Sequence, residues 1–169
     1  MESINLGLQE LVELAGKALK KEDCLIGYQN FYYNERFLQY IIFRSLYLSL
    51  TPKQYLGEAE RERFDINISK LPNTQNYAAL LEIKCWRSVD GESELQKIKG
   101  DINKLNQKGC PGFIIICTFN HKDQTNENIN FLKERLSLGN NEIKQYSFTM
   151  NEEPNNEFII LGFSVREPN

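Results

Sequence analysis

Near the start of the chain, Leu8, Leu11, Leu14, Ala15 and Leu19 recur at helical spacing and predict an amphipathic helix that runs out in KALKK. NERFLQYIIFRSLYLSL predicts a second helix, ended by Thr51 and Pro52 because proline disfavours helical geometry in the residue before it. Two alternating stretches then read as strands over roughly 60–68 and 77–87, joined through the turn-rich SKLPNTQN. ELQKIKGDINKLNQ puts Leu95, Ile98, Ile102 and Leu105 on one face, so a third helix is expected over 92–107, broken by Gly109 to Gly112. GFIIICTF is apolar almost throughout, which suits a strand over 112–119 covered on both faces, and the strand–helix–strand order implies a parallel crossover. NENINFLKERLS predicts a fourth helix, and weaker strands at EIKQYSFTM and EFIILGFSV close the chain. The fold class is α/β.

Two of these strands carry charge inside apolar runs: Asp65 in ERFDINIS, and Glu82 with Lys84 in LEIKCW. A hairpin centred between Asn73 and Thr74 sets Asp65 opposite Glu82 and Arg63 opposite Lys84, and directly opposed side chains lie roughly 5 Å apart at Cβ. That register sorts Phe64, Ile66, Ile68, Ala79, Leu81, Ile83 and Cys85 to one face. Arg63, Asp65, Asn67, Glu82, Lys84 and Trp86 fall on the other. A shift by two residues sorts the faces equally well, so the pattern permits the pairing without forcing it. Adjacent carboxylates repel unless a cation lies between them, and a hard divalent ion such as magnesium suits an all-oxygen site. The alternative is a surface hairpin whose Glu82 and Lys84 are merely solvated.

Composition narrows the classes. The 169 residues, 41% hydrophobic and 25% charged, suit one domain over 1–169 with one core. The longest apolar helical stretch, FLQYIIFRSLYLSL, is shorter than a membrane span and contains Arg44, so no membrane partner and a cytoplasmic location are expected. Cys24, Cys85, Cys110 and Cys117 show no CxxC spacing, and lone His121 completes no zinc set, so they read as reduced structural thiols. A net charge of −3 is not the basic footprint of tight non-specific nucleic-acid binding, which leaves that role to a local patch.

Taken together, the helix, the hairpin with RFDINI and LLEIKCW, the following helix and the apolar strand resemble the core of the PD-(D/E)XK nuclease superfamily, over residues 33–119. The resemblance implies a restriction-endonuclease-like mixed sheet flanked by helices. It also implies a magnesium-dependent endonuclease acting on DNA, with manganese able to substitute. Carried over by position, Asp65, Glu82 and the Ile83 carbonyl would bind the metal, and Lys84 would orient the attacking water. Phe64 stands where the superfamily's name has proline. Many members carry a glutamate on the preceding helix, and Glu35 shares a stripe with Leu38, Ile42 and Ser45. Glu35 is then either a third catalytic carboxylate or a first-turn acid stabilised by the helix dipole.

Lys97, Lys99 and Lys104 on the third helix, with Arg63, are the candidate phosphate contacts; the alternative is an ordinary solvated helix face. Trp86 either stacks on a base or caps the core, the second being favoured. His121 reads as a loop residue, and the chain has no GxxxxGK[ST] phosphate loop. Two functions stay open: a nuclease of a restriction or mobile-element system, and an inactive nuclease-like fold serving as a binding, immunity or inhibitor protein. Acidic composition and small size suit the second; Asp65, Glu82 and Lys84 suit the first. A homodimer or a protein partner is compatible with either.

Overall fold

The computed structural model describes residues 7–26, 34–51, 55–59, 64–72, 77–87, 91–137 and 143–166. Helix α1 (Leu8–Ile26) and helix α2 (Glu35–Leu50) are followed by strands β1 (Tyr55–Ala59), β2 (Ile66–Lys70) and β3 (Tyr77–Cys85). Helix α3 (Gly91–Asn106) then crosses to β4 (Gly112–His121). A 3-10 turn (Lys122–Gln124), helix α4 (Thr125–Arg135) and strands β5 (Ile143–Thr149) and β6 (Asn156–Arg166) complete the order. Helix α2 begins where expected because Asn34 caps it, its side chain accepting the Phe37 N–H at 3.2 Å. It ends at Thr51, whose hydroxyl donates to the Tyr47 carbonyl at 2.7 Å.

The six strands form one sheet in the order β1-β2-β3-β4-β6-β5. Only β3 and β4 run parallel, joined through α3, and the other neighbours are antiparallel. This is an α/β architecture with a mixed central sheet flanked by helices, restriction-endonuclease-like at that coarse level. Successive β4 side chains feed two cores. Phe113, Ile115 and Cys117 join α1 and α2, while Ile114 and Ile116 join Leu95, Ile98 and Leu105 of α3 and Ile129 and Leu132 of α4. A strand buried on both faces needs no polar alternation, which is why GFIIICTF is apolar throughout. No helix among the described residues is long and apolar enough to cross a membrane.

Several expectations shift. Strand β1 was not foreseen: YLGEA is a short edge strand with a central glycine and carries no apolar alternation. Strand β2 begins at Ile66 rather than near residue 60, and Asp65 sits in a bend before it. That bend takes Phe64 to the opposite face from Ile66 and Ile68, where it packs with Leu80 and Trp86 instead of joining the α1–α2 core. His121 ends β4 rather than lying in a loop, and its exposed ring contacts Asp123. The centre of the β2–β3 turn and Arg63 fall outside the described residues.

Candidate active site

Ile66 pairs with Leu81, Asn67 with Leu80 and Ile68 with Ala79, the register of a hairpin centred between Asn73 and Thr74. Among the described residues the ladder stops at Ile66, while β3 runs on to Cys85, so no described strand residue pairs with the β2-facing edge of β3 from Glu82 onward. Side chains take over there. Asp65 Oδ2 accepts the Ile83 N–H at 2.7 Å, and Glu35 Oε2, from the first turn of α2, accepts the Cys85 N–H at 3.1 Å. Gln39, one turn further along α2, reaches the Ile83 carbonyl at 3.5 Å and Glu35 Oε1 at 3.4 Å. A buried backbone donor without a partner is costly, so the carboxylates at this edge serve the fold as well as any chemistry.

The other edge of β3 is held by β4, and the side chains of Glu82 and Lys84 rise from β3 toward α3. Lys84 Nζ lies 3.2 Å from Asp101 Oδ2, 3.6 Å from Glu35 Oε1 and 3.9 Å from Glu82 Oε2. Lys104, one turn after Asp101, lies 3.2 Å from Asp101 Oδ1 and contacts Glu82 Oε1 directly. Its ammonium also stands 4.8 Å from the centre of the Phe64 ring. Glu82 Oε1 is buried, and Lys104 is the cation set against it.

Burial governs the electrostatics. Glu82 is 1% exposed, and loss of solvation pushes its carboxyl up to about 8 against the pull of Lys104, with the charges of Asp65 and Asp101 adding to the rise. Burial also disfavours the Lys84 cation, but Glu35, Asp65, Asp101 and Glu82 together outweigh it and hold the ammonium above its ordinary value. Four carboxylates (Glu35, Asp65, Glu82, Asp101) against two ammonium groups (Lys84, Lys104) leave two formal negative charges when all are ionised.

Excess negative charge and hard oxygen donors are the chemistry a divalent ion takes, and the expected ligands are Asp65, Glu82 and the Ile83 carbonyl. An ion there would have to draw Glu82 away from Lys104 and Ile83 away from Gln39. Among the described residues no group of three or more His, Cys, Asp or Glu side chains stands close enough to hold one as placed.

Asp65, Glu82, Lys84 and Glu35 are therefore brought together around the C-terminal half of β3. Of the expected phosphate contacts, Lys104 turns into the carboxylate cluster rather than outward, Lys97 is exposed and pairs with Glu94, and Lys99 is half-buried on α3. Trp86 caps the second core, 1% exposed, its ring stacked at 5.9 Å on Phe131. The four cysteines are free thiols.

Asp101 and Gln39 were missed, although both left a signal. Asp101 lies three residues after Ile98 and four before Leu105, a charge set into the apolar stripe of α3, and Gln39 lies one turn after Glu35. No family model, no curated protein and no solved structure matches this chain.

Proposed function

We propose that this protein is a magnesium-dependent nuclease that hydrolyses phosphodiester bonds in DNA, as part of a restriction or mobile-element system, with manganese able to replace magnesium. The observation that carries this reading is Lys84 ringed by Glu35, Asp65, Glu82 and Asp101 where β2 and β3 part. Glu35 and Asp65 cap backbone N–H groups, but collecting more carboxylates than cations in a largely buried place costs stability.

A magnesium ion held by Asp65, Glu82 and the Ile83 carbonyl would supply Lewis acidity toward the phosphoryl oxygen and make water more acidic. Lys84 would orient the attacking water and offset charge that develops on the phosphate. Glu35 keeps the Lys84 ammonium in place while its other oxygen holds the Cys85 N–H. Lys104 balances Glu82 until a metal takes that position. The free thiols suit a reducing compartment such as the cytoplasm.

A second reading, a PD-(D/E)XK-like fold kept as a binding, immunity or inhibitor module, is favoured by one feature: Lys104 and Gln39 already engage two of the three proposed metal ligands. Incubating the protein with plasmid, linear duplex and single-stranded DNA under magnesium, manganese or chelator separates the two. The nuclease reading expects metal-dependent cleavage that Lys84→Ala and Asp65→Asn abolish. Absence of cleavage from every substrate under both metals would leave the binding module.

A further inference from the structure

A groove of about 190 Å³ opens beside Asp65, lined by Arg36, Gln39, Tyr40, Phe43, Ala59 and Asp65. It is smaller than the roughly 300 Å³ at which pockets for whole drug-sized ligands begin, so it suits one planar group rather than a complete small molecule. Gln39 and Asp65 tie it to the β3 edge described above. Its outer wall is a stripe along α2: Arg36, Tyr40, Phe43 and Tyr47 follow one another at four-, three- and four-residue steps, on one side of the helix. Eleven residues of helix carry that stripe about 16 Å away from the carboxylates.

Arg36, Tyr40 and Tyr47 of the stripe are not core, while Phe43 packs against it. Tyr40 is 57% exposed and Tyr47 40%, and Arg36 faces solvent. Phe43 is half-buried: its ring lies over Gly57 of β1, where an added Cβ would stand 3.6 Å from Cε2. The Phe43 and Tyr47 rings are 6.0 Å apart and tilted at 40°, a continuous aromatic surface.

Resting on the nuclease reading, we propose that this groove and stripe bind an unpaired DNA strand, with Arg36 on a phosphate next to the cleavage site and Tyr40, Phe43 and Tyr47 offering faces on which successive bases stack. Charge and geometry select this occupant. With a net charge of −3 the chain carries no net basic field to hold a duplex through its phosphates. Stacking on aromatic rings needs little charge and tolerates any sequence, since every base has a π-face. In a duplex those faces are covered by neighbouring bases, so exposed rings gain most from a single strand. The substrate is then a single-stranded end, flap or gap rather than an intact duplex.

The test is fluorescence anisotropy with one labelled oligonucleotide sequence as single-stranded DNA, blunt duplex DNA and single-stranded RNA. Calcium replaces magnesium so that cleavage does not intervene. Single-stranded DNA is expected to bind about tenfold or more tighter than the duplex, and Tyr40→Ala to weaken it by about tenfold without changing duplex affinity. Tyr40→Phe, which keeps the ring, should retain most of the affinity. Arg36→Ala should lower the slope of log affinity against log salt by about 1. Both residues are exposed, so an unchanged melting temperature will confirm that each variant folds.

Duplex preference, or single-strand affinity unmoved by Tyr40→Ala, overturns the subsite. Tighter binding of RNA overturns the assignment to DNA. Magnesium-dependent cleavage of single strands that survives Tyr40→Ala at full kcat/KM removes the subsite and leaves the nuclease reading standing. Ring-dependent binding of single strands without any metal-dependent cleavage supports the subsite and removes the nuclease reading.

Discussion

The Asp65 carboxylate accepts the Ile83 N–H at 2.7 Å, just past the last β2–β3 pair, Ile66 with Leu81. One side chain thus ends the ladder and faces the carboxylate cluster, and two substitutions separate these roles. Asp65→Ala orphans the Ile83 N–H and should cost about 1–2 kcal/mol of metal-free stability. Asp65→Asn keeps an oxygen to accept that hydrogen bond and removes one charge from an acidic cluster, so its metal-free stability should match or exceed wild type. Both should lose metal-dependent cleavage. Urea unfolding in chelator checks the order; an Asn variant less stable than the Ala variant would refute it.

Lys84 is 16% exposed and faces four acids, so its loss should be felt by the fold as well as by catalysis. Removing one partner of a largely buried charge cluster costs on the order of 2–4 kcal/mol. Lys84→Met, which keeps the stem, should lose about as much as Lys84→Ala, and magnesium should recover part of the loss in either. The check is a thermal melt across a magnesium titration. A Met variant as stable as wild type would mean that the cluster exerts no electrostatic stress.

Glu82 sets a pH dependence of known sign. Its folded carboxyl is raised from 4.5 to about 8, so between those values the native state binds more protons than the unfolded one. Stability contributed by this group therefore falls as pH rises from about 4.5 to about 8, and is level outside that window. Glu82→Gln should flatten the decline, and so should magnesium if it binds the carboxylate. Melting temperatures of both proteins across the window, with and without the metal, provide the measurement; equal slopes for the two proteins in chelator would contradict the assignment.

Away from the site, Gly16 on α1 faces Tyr146 on β5. A Cβ at Gly16 would stand 2.2 Å from Tyr146 Cδ1 and 2.3 Å from Cγ, near the base of the ring, where rotation cannot relieve the clash. Gly16→Ala should therefore destabilise by about 1–3 kcal/mol, despite alanine's better helix propensity. Tyr146→Ala in the same chain should make the substitution neutral or favourable. A double-mutant cycle by denaturant unfolding tests this, and additive effects would mean that α1 shifts instead.

Helical periodicity and strand alternation are written in neighbouring residues, and what they specify was legible. The stripe from Leu95 to Leu105 marked α3, the uninterrupted apolar run marked β4 as doubly covered, and their order marked the parallel crossover. Alternation allowed the observed hairpin register without forcing it; opposing Asp65 to Glu82 picked it out, and it holds from Ile66 to Ile68 before shifting at Ser69. Asp65, Glu82 and Lys84 were singled out by reading charges against that pattern, and Glu35 by the superfamily resemblance.

Local rules do not say which element covers a face, or how deeply. The face expected to be mostly polar lies under α3 and α4, so Asn67 and Glu82 are buried, and Lys104 turns to Glu82 rather than to solvent. Asp101 joins only because the crossover lays α3 over β3, and Gln39 because α2 passes the β2-facing edge of that strand. The bend at Asp65 carries Phe64 to the second core, which alternation assigned to the first. Each of these depends on contacts between residues distant in the chain. Periodicity names which side chains share a face; desolvation and charge at that face are decided by whatever the tertiary packing sets against it.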